Sequence, residues 1–361
     1  MNLTAVIEVT EKCNLACSFC LRPSFNAPVM SIKTLSEIIR EIVNCSDYRA
    51  DFIWHGGEPL VAGLDFFREI PEMQKRFNSR RILIRNNVQT NATLLDKDFI
   101  EFFERECFEV GTSIQGTREI HDKSRITKSE GPTYQTIVSN IRQLKNKPSG
   151  IVVLTRDILG NEAEVYHSMK PLIRGMRVSE YFPGGVNPEN CLKDVHSGEN
   201  LMPSSSEYGE SMIRFYEVWK SDKNPIDLKP ITEIIRSMVV GKSEGCLYSQ
   251  EACNGSIVGI KSSGEFYTCI MGSGNRLFCL GNVKNRPLAI YKEKSRRSKE
   301  ERTNVLQKEP CADCSFWNYC NGGCPLESYK LHGDLNHNAF YCEGRKMLFN
   351  KILNDLRPKK K

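Results

Sequence analysis

Along its first half the chain switches repeatedly between two hydrophobic periods. Leu3-Thr4-Ala5-Val6-Ile7-Glu8-Val9 reads as a buried strand. After a cysteine-rich stretch, Ile32, Leu35, Ile38, Ile39, Ile42 and Val43 mark one face of a helix, with Ser31 placed to cap it. Phe52-Ile53-Trp54 is strand-like, 64–77 helical, and Ile82-Leu83-Ile84 opens a third strand. Helical spacing returns over 94–106, 134–145 and 162–173, separated by strands at 108–114, 151–154 and 176–181.

Six strand–helix alternations with short connections predict an α/β fold: a parallel sheet with helices outside, a partial (β/α)6 barrel. An open doubly wound sheet has the same pattern, and in both folds reactive groups collect at the carboxyl ends of the strands. Residues 183–205 read as loop, followed by helices at 207–220 and 230–240. From Cys246 the alternation ends and cysteine density rises. Strands at 257–261 and 265–269 joined by Ser262-Ser263-Gly264 predict a hairpin, and 339–356 a closing helix. The expected organisation is a barrel over 1–182, a helical connector over 183–240, and a cysteine-rich auxiliary domain with closing helix over 241–361.

Charge narrows the partners. Fifty basic and 44 acidic residues are interleaved, for a net +6, without a basic stripe that would track nucleic acid. The Lys359-Lys360-Lys361 tail reads as a solvated end. With no apolar run of spanning length and no signal-like Met1-Asn2-Leu3-Thr4 start, the expectation is a cytoplasmic protein that engages no membrane. Fifteen cysteines in a reducing compartment point to metal or cluster binding rather than disulfides.

The first group is Cys13-Asn14-Leu15-Ala16-Cys17-Ser18-Phe19-Cys20, directly after the first strand. So short a loop gathers three sulfurs at little closure entropy. A [4Fe–4S] cluster normally takes four thiolates, so three leave one iron open; a zinc site would show a second pair nearby, and none lies between Cys20 and Cys45.

Cys-x₃-Cys-x₂-Cys after the first strand of a β/α barrel resembles the radical S-adenosylmethionine superfamily. The resemblance implies that the open iron chelates the cosubstrate's amino and carboxylate groups. It also implies that reductive cleavage releases a 5′-deoxyadenosyl radical, fed by a low-potential donor such as flavodoxin or ferredoxin. Phe19 matches the aromatic packed near adenine, although an aromatic there also suits a core. His55-Gly56-Gly57-Glu58-Pro59, at the second strand end, matches the segment that receives the amino group. Gln89-Thr90-Asn91 at the third strand end, and Ser113-Ile114-Gln115-Gly116 with His121-Asp122 and Arg125 after the fourth, resemble segments holding ribose and carboxylate. Taken singly, each of these polar residues also reads as a strand-end cap or turn.

In the C-terminal third, Cys253, Cys269, Cys311-x₂-Cys314-x₅-Cys320-x₃-Cys324 and Cys342 match the register of the SPASM extension, with Cys246 as an eighth thiol. The resemblance implies two auxiliary [4Fe–4S] clusters, hence three in all. Cys246, Cys253, Cys269 and Cys324 would hold the nearer one, and Cys311, Cys314, Cys320 and Cys342 the outer one. A zinc ribbon of Cys311, Cys314, Cys320 and Cys324 is the alternative. Cys45 and Cys107 read as buried structural thiols. Cys191, in a segment open to substrate, and Cys279, a possible spare ligand, are also better read as structural.

The likeness extends to Gly241-Lys242-Ser243-Glu244-Gly245-Cys246 and Leu280-Gly281-Asn282-Val283, which look like anaerobic sulfatase-maturating enzymes. That group carries an aspartate base after the ligand corresponding to Cys269, where this chain has Ile270. It has an aromatic pair where Leu21-Arg22 stands, and an aspartate where Gln115 stands. Two-electron oxidation of a thiol or alcohol calls for a base. Trp54-His55-Gly56-Gly57-Glu58-Pro59-Leu60 looks more like maturases of ribosomal peptides. The expectation is therefore oxidative cross-linking of a peptide or protein substrate, of cyclophane or thioether type, with the auxiliary clusters accepting an electron. The alternatives are formylglycine formation, a radical dehydrogenase or epimerase of a sugar-like molecule, and a zinc-binding interaction protein. With Cys13 so near the start, leader recognition would fall to a separate peptide-binding protein or to residues 187–206.

Overall fold

The structure is a computed structural model describing residues 2–20, 27–181, 201–243, 246, 253, 255–285 and 287–357. In chain order its elements begin β1 (Leu3–Thr10), α1 (Ile32–Cys45), β2 (Arg49–Gly56), α2 (Leu64–Phe77), β3 (Leu83–Thr90), α3 (Lys97–Arg105) and β4 (Phe108–Ser113). Next come α4 (Arg118–Ser124), α5 (Tyr134–Ile141), β5 (Ser149–Leu154), α6 (Glu162–Met169), β6 (Gly175–Glu180), α7 (Ser205–Ser221), β7 (Asp227–Lys229) and α8 (Ile231–Val240). The remainder is β8 (Ile257–Ile260), β9 (Glu265–Tyr267), β10 (Cys279–Asn282), α9 (Ile290–Leu306), α10 (Trp317–Cys320), α11 (Pro325–His332) and α12 (Cys342–Leu356).

The chain forms two compact units. The first comprises residues 1–114, 121–149 and 253–297. Its strands run β10-β9-β8-β1-β2-β3-β4; β1 through β4 are parallel, and β8 adds parallel to the free side of β1, Thr4 opposite Ile257 and Ile7 opposite Ile260. The predicted hairpin is therefore present, antiparallel between β8 and β9, and also extends the parallel sheet. Ser31 caps α1 through Thr34 N–H at 3.1 Å. Phe67, Phe99, Phe103 and Phe108 pack edge-on and tilted at 5.3–6.5 Å, fastening α2 and α3 to β4. The helix expected from residue 94 starts at Lys97. Asp96 accepts from Phe99 N–H at 3.0 Å as its cap, and Thr93 is taken into a turn closed by Asn91.

The second unit comprises residues 115–120, 150–252 and 298–361, with strands in the order β5-β6-β7. Its closing helix α12 lies against α7, whose start carries a capping box of Ser204 and Glu207. At the crossing a Cβ on Gly344 would lie 2.0 Å from the Ser205 carbonyl oxygen, and one on Gly209 would lie 2.7 Å from Gly344 Cα. Ser205 Oγ accepts from Gly344 N–H at 3.1 Å. Two glycines thus let the helices touch backbone to backbone, which fixes where α12 presents its first turn.

Among the described residues no helix is long and apolar enough to cross a membrane. Cys45 ends α1 half-buried, but Cys107 is exposed, against expectation, because it turns into β4 with φ 56° and points outward. Cys279 is half-buried on β10, and Cys191 lies outside the described residues.

Candidate active site

The first site is built where β1, β2 and β3 of the first unit end. Leaving β1, the chain passes residues 11–12 and enters the cysteine loop, laced there to the end of β2. Gly57 N–H donates to Thr10 O at 2.8 Å and Glu58 N–H to Lys12 O at 2.9 Å. A Cβ on Gly57 would lie 2.4 Å from the Lys12 carbonyl oxygen, and Gly56 has φ 140° with Thr10 O only 2.2 Å from a Cβ position. Both glycines are therefore demanded by backbone approach. On its other side the loop is tied to residues 124–126, Ala16 N–H to Ile126 O and Ser18 N–H to Ser124 O, both at 2.9 Å.

Glu58 is fully buried, and three donors converge on its carboxylate: Leu60 N–H at 3.0 Å, Thr90 Oγ1–H at 2.7 Å and Asn91 N–H at 2.7 Å. Burial nevertheless pushes its pKa up to about 7, against those donors. Glu58 thus joins the ends of β2 and β3. Asn91 carries the tie onward: its amide donates to Asn14 Oδ1 at 2.9 Å and reaches Cys13 Sγ at 3.9 Å, while Asn14 donates to Thr93 Oγ1 at 2.7 Å. Gln89 donates to Ser113 Oγ at 3.3 Å, and Gly111 leaves the space for the Gln89 side chain. His55 Nδ1 accepts from Gly56 N–H at 2.7 Å, so its remaining proton sits on Nε2.

Behind the loop lies Arg125, buried, with its guanidinium 4.9 Å from the centre of the Phe19 ring and Nη1 4.0 Å from Cys17 Sγ. Its Nε finds no acceptor among the described residues. Burial raises the Cys13 thiol to about 11 and raises Cys17 as well, the latter opposed by Arg125. A buried cation beside three thiols suits an anionic occupant, as iron bound by three thiolates is. His121 stands behind Arg125, held to about 3 by burial and by that charge. The Thr133 hydroxyl donates to Arg125 O, so His121 Nε2, 3.0 Å away, is the donor to Thr133.

A second site lies wholly in the second unit. Cys311, Cys314, Cys320 and Cys342 line one small cavity together with Phe316, Trp317 and Phe349. These are the four thiols grouped by the resemblance for an outer cluster; Cys324, which a zinc ribbon would need, does not line it. No three of the described His, Cys, Asp or Glu side chains are grouped to hold a metal ion. Burial pushes Cys320 up to about 12 and Cys311 upward too. Of the nearer set, Cys253 and Cys269 belong to the first unit and Cys246 and Cys324 to the second. Cys246 is exposed and the other three half-buried.

The cavity's other wall was not legible as a site. Arg345 lines it, 1% exposed, and its guanidinium reaches Glu180 Oε1 and Oε2 at 2.7 and 2.6 Å and also Glu327. Burial raises Glu180 well above the usual carboxylate range, with Glu327 adding and Arg345 opposing. Arg302, also buried, donates to the carbonyls of Gly322 and Gly323 between Cys320 and Cys324, and to Leu335 and His337. The one available signal was Arg345 three residues after Cys342, on the same helical face.

The comparisons agree with this geometry. The radical SAM superfamily profile matches residues 7–165. The cysteine-type anaerobic sulfatase-maturating enzyme of Clostridium perfringens is 24% identical over 93% of this chain and 92% of its own length. The serine-type anaerobic sulfatase-maturating enzyme of Klebsiella aerogenes is 27% identical over 96% of this chain and 84% of its own. The solved structure of native anSMEcpe with bound AdoMet and Cp18Cys peptide superposes with a TM-score of 0.85 at 22% identity, covering 98% of this chain and 99% of that one. The fold of that structure is thus the fold of this chain. Residues 7–165, with the three-cysteine loop at the end of β1, thus match the radical SAM superfamily, and the chain as a whole is similar to the anaerobic sulfatase-maturating enzymes.

Proposed function

We propose that the chain is a maturase that oxidises a cysteine side chain of a peptide or protein substrate by two electrons. The observation carrying this reading is the span of the likeness: both sulfatase-maturating relatives align with more than nine-tenths of the chain, well beyond the 7–165 match. This gives formylglycine formation the support that the sequence alone withheld from it, ahead of cross-linking.

In this reading Cys13, Cys17 and Cys20 hold a [4Fe–4S] cluster, and Phe19, His55, Gly56, Gly57, Glu58, Asn91, Ser113 and Arg125 surround S-adenosylmethionine. Bound together, cluster and cosubstrate supply a carbon radical that takes a hydrogen atom from the substrate's side-chain carbon. The residues of the chain do the holding. Arg125 offsets the thiolate charge, Gly56 and Gly57 bring backbone within reach of the ligand, and Glu58 keeps the ends of β2 and β3 in register. Two further clusters are assigned to Cys246, Cys253, Cys269 and Cys324 and to Cys311, Cys314, Cys320 and Cys342, with a flavodoxin or ferredoxin as electron donor.

Removal of that hydrogen atom and of one electron, passed to the auxiliary clusters, leaves a thioaldehyde, which water converts to the aldehyde with loss of hydrogen sulfide, and the thiol gives up a proton. Ile270 has no group to take it, and both ends of the Gln115 amide are spent on the Val153 backbone. A thiol, with a pKa near 8.5, ionises without a strong base, whereas a serine hydroxyl does not; hence a cysteine substrate. Ile270 also suits a second reading, cross-linking of a peptide, in which no aldehyde forms. The test is anaerobic incubation with S-adenosylmethionine, dithionite and paired peptides bearing a central cysteine or serine. A hydrazine-reactive aldehyde on the cysteine peptide is expected. Loss of two hydrogens without a carbonyl overturns the proposal in favour of a cross-link.

A further inference from the structure

Cys342 and Arg345 open α12 one helical turn apart, so both face the cavity of the second unit. A guanidinium that is 1% exposed is costly to hold unless it is paired. Here the pairing comes from behind: Glu180, the last residue of β6, accepts from Nη2 at 2.6–2.7 Å and from Nε at 3.2 Å, and Glu327 of α11 accepts from the same Nη2. Neither carboxylate lines the cavity, whereas Arg345 does. The local backbone is shaped around this cation. Gly323, between Cys320 and Cys324, has φ 75°, and a Cβ there would lie 2.7 Å from Arg345 Nη1 and 2.4 Å from Ala339 Cβ. A lysine ammonium, a point charge on a flexible stem, would not reproduce this fixed planar arrangement.

We propose that Arg345 is the positioning residue and charge partner of an iron–sulfur cluster held by Cys311, Cys314, Cys320 and Cys342, kept in place by Glu180 and Glu327. This rests on the reading that those four cysteines hold a cluster. Reduction adds negative charge at the cavity, so a buried cation that lines it favours the reduced state. The carboxylates, one layer farther out, anchor the arginine and oppose that effect less.

The test uses anaerobically reconstituted full-length protein, its iron and sulfide content, and redox titration followed by electron paramagnetic resonance. Arg345→Met, and Arg345→Met with Glu327→Gln to relieve the stranded carboxylate, are expected to disfavour reduction of one cluster about tenfold, a downward shift of about 59 mV for one electron. Arg345→Lys restores part of that shift. Full iron content with every midpoint unchanged in the folded double variant overturns the role of Arg345. If Cys311→Ser and Cys342→Ser leave the iron content at the wild-type value, the four-cysteine cluster itself is wrong, a separate failure. A merely structural arginine would lower thermal stability and leave the midpoints where they are.

Discussion

The loop of Cys13, Cys17 and Cys20 and the cavity of Cys311, Cys314, Cys320 and Cys342 differ in how the last ligand is supplied. In the first, the sulfurs arrive together on eight consecutive residues, and the fold's task is to surround them with backbone donors and a single buried cation, Arg125. In the second, three sulfurs come from residues 311–320 and the fourth from the start of α12, and buried Arg302 and Arg345 organise the walls. A short loop with three thiols leaves room for an exchangeable ligand. Four thiols, one of them brought in by a separate helix, leave no iron open and suit electron storage better than substrate binding.

The sharpest way to break this contrast is to remove one thiol from each site. Cys17→Ala should reduce S-adenosylmethionine cleavage, measured as 5′-deoxyadenosine under dithionite, to the rate without protein. Cys314→Ala should keep cleavage within about tenfold of the parent. Equal losses would mean that the two sites do not divide the work in this way.

A smaller effect is expected at Glu58. Glu58→Gln turns one acceptor oxygen into a donor facing donors, so unfolding in urea should show a loss of about 3 kcal/mol. Cosubstrate affinity should fall with it, while the iron attributable to the C-terminal cysteines stays. Loss of all iron together would erase the distinction.

The smallest effect is a pH dependence behind the first loop. His121 has a folded pKa of about 3, below its unfolded value, so the unfolded chain takes up a proton first as the pH falls. Its contribution is intact above about pH 6.5 and is lost progressively between there and pH 3. Relative to His121→Gln, wild-type stability should fall by about 2 kcal/mol from pH 7 to pH 5 in denaturant titrations. A constant difference would show that the imidazole titrates alike in the folded and unfolded chains, and a difference that grows as the pH falls would show that it is charged in the folded state.

Local order in the sequence made much of this readable. The α1 stripe and Ser31 cap, α2 over residues 64–77, the strands of the first half, and the Cys13–Cys20 spacing all depend on neighbours a few residues apart. Helix α9 was not readable, because its buried stripe consists of Tyr291, Ser295, Arg302 and Leu306, half of it polar. Likewise β7 and β10, of three and four residues, are too short to carry a period.

By itself the sequence determined the alternating α/β plan, the three-thiol loop and the glycines of Gly56-Gly57, since each is set by local periodicity, loop closure or backbone sterics. Tertiary structure alone decided that β8 pairs with β1, that Glu58 braces β3, and that Glu180, Glu327 and Arg345 meet behind a four-cysteine cavity. The charged partners Glu180 and Arg345 lie 165 residues apart, and pairing of buried charges over such separations follows from how helices and strands pack, which no local pattern records.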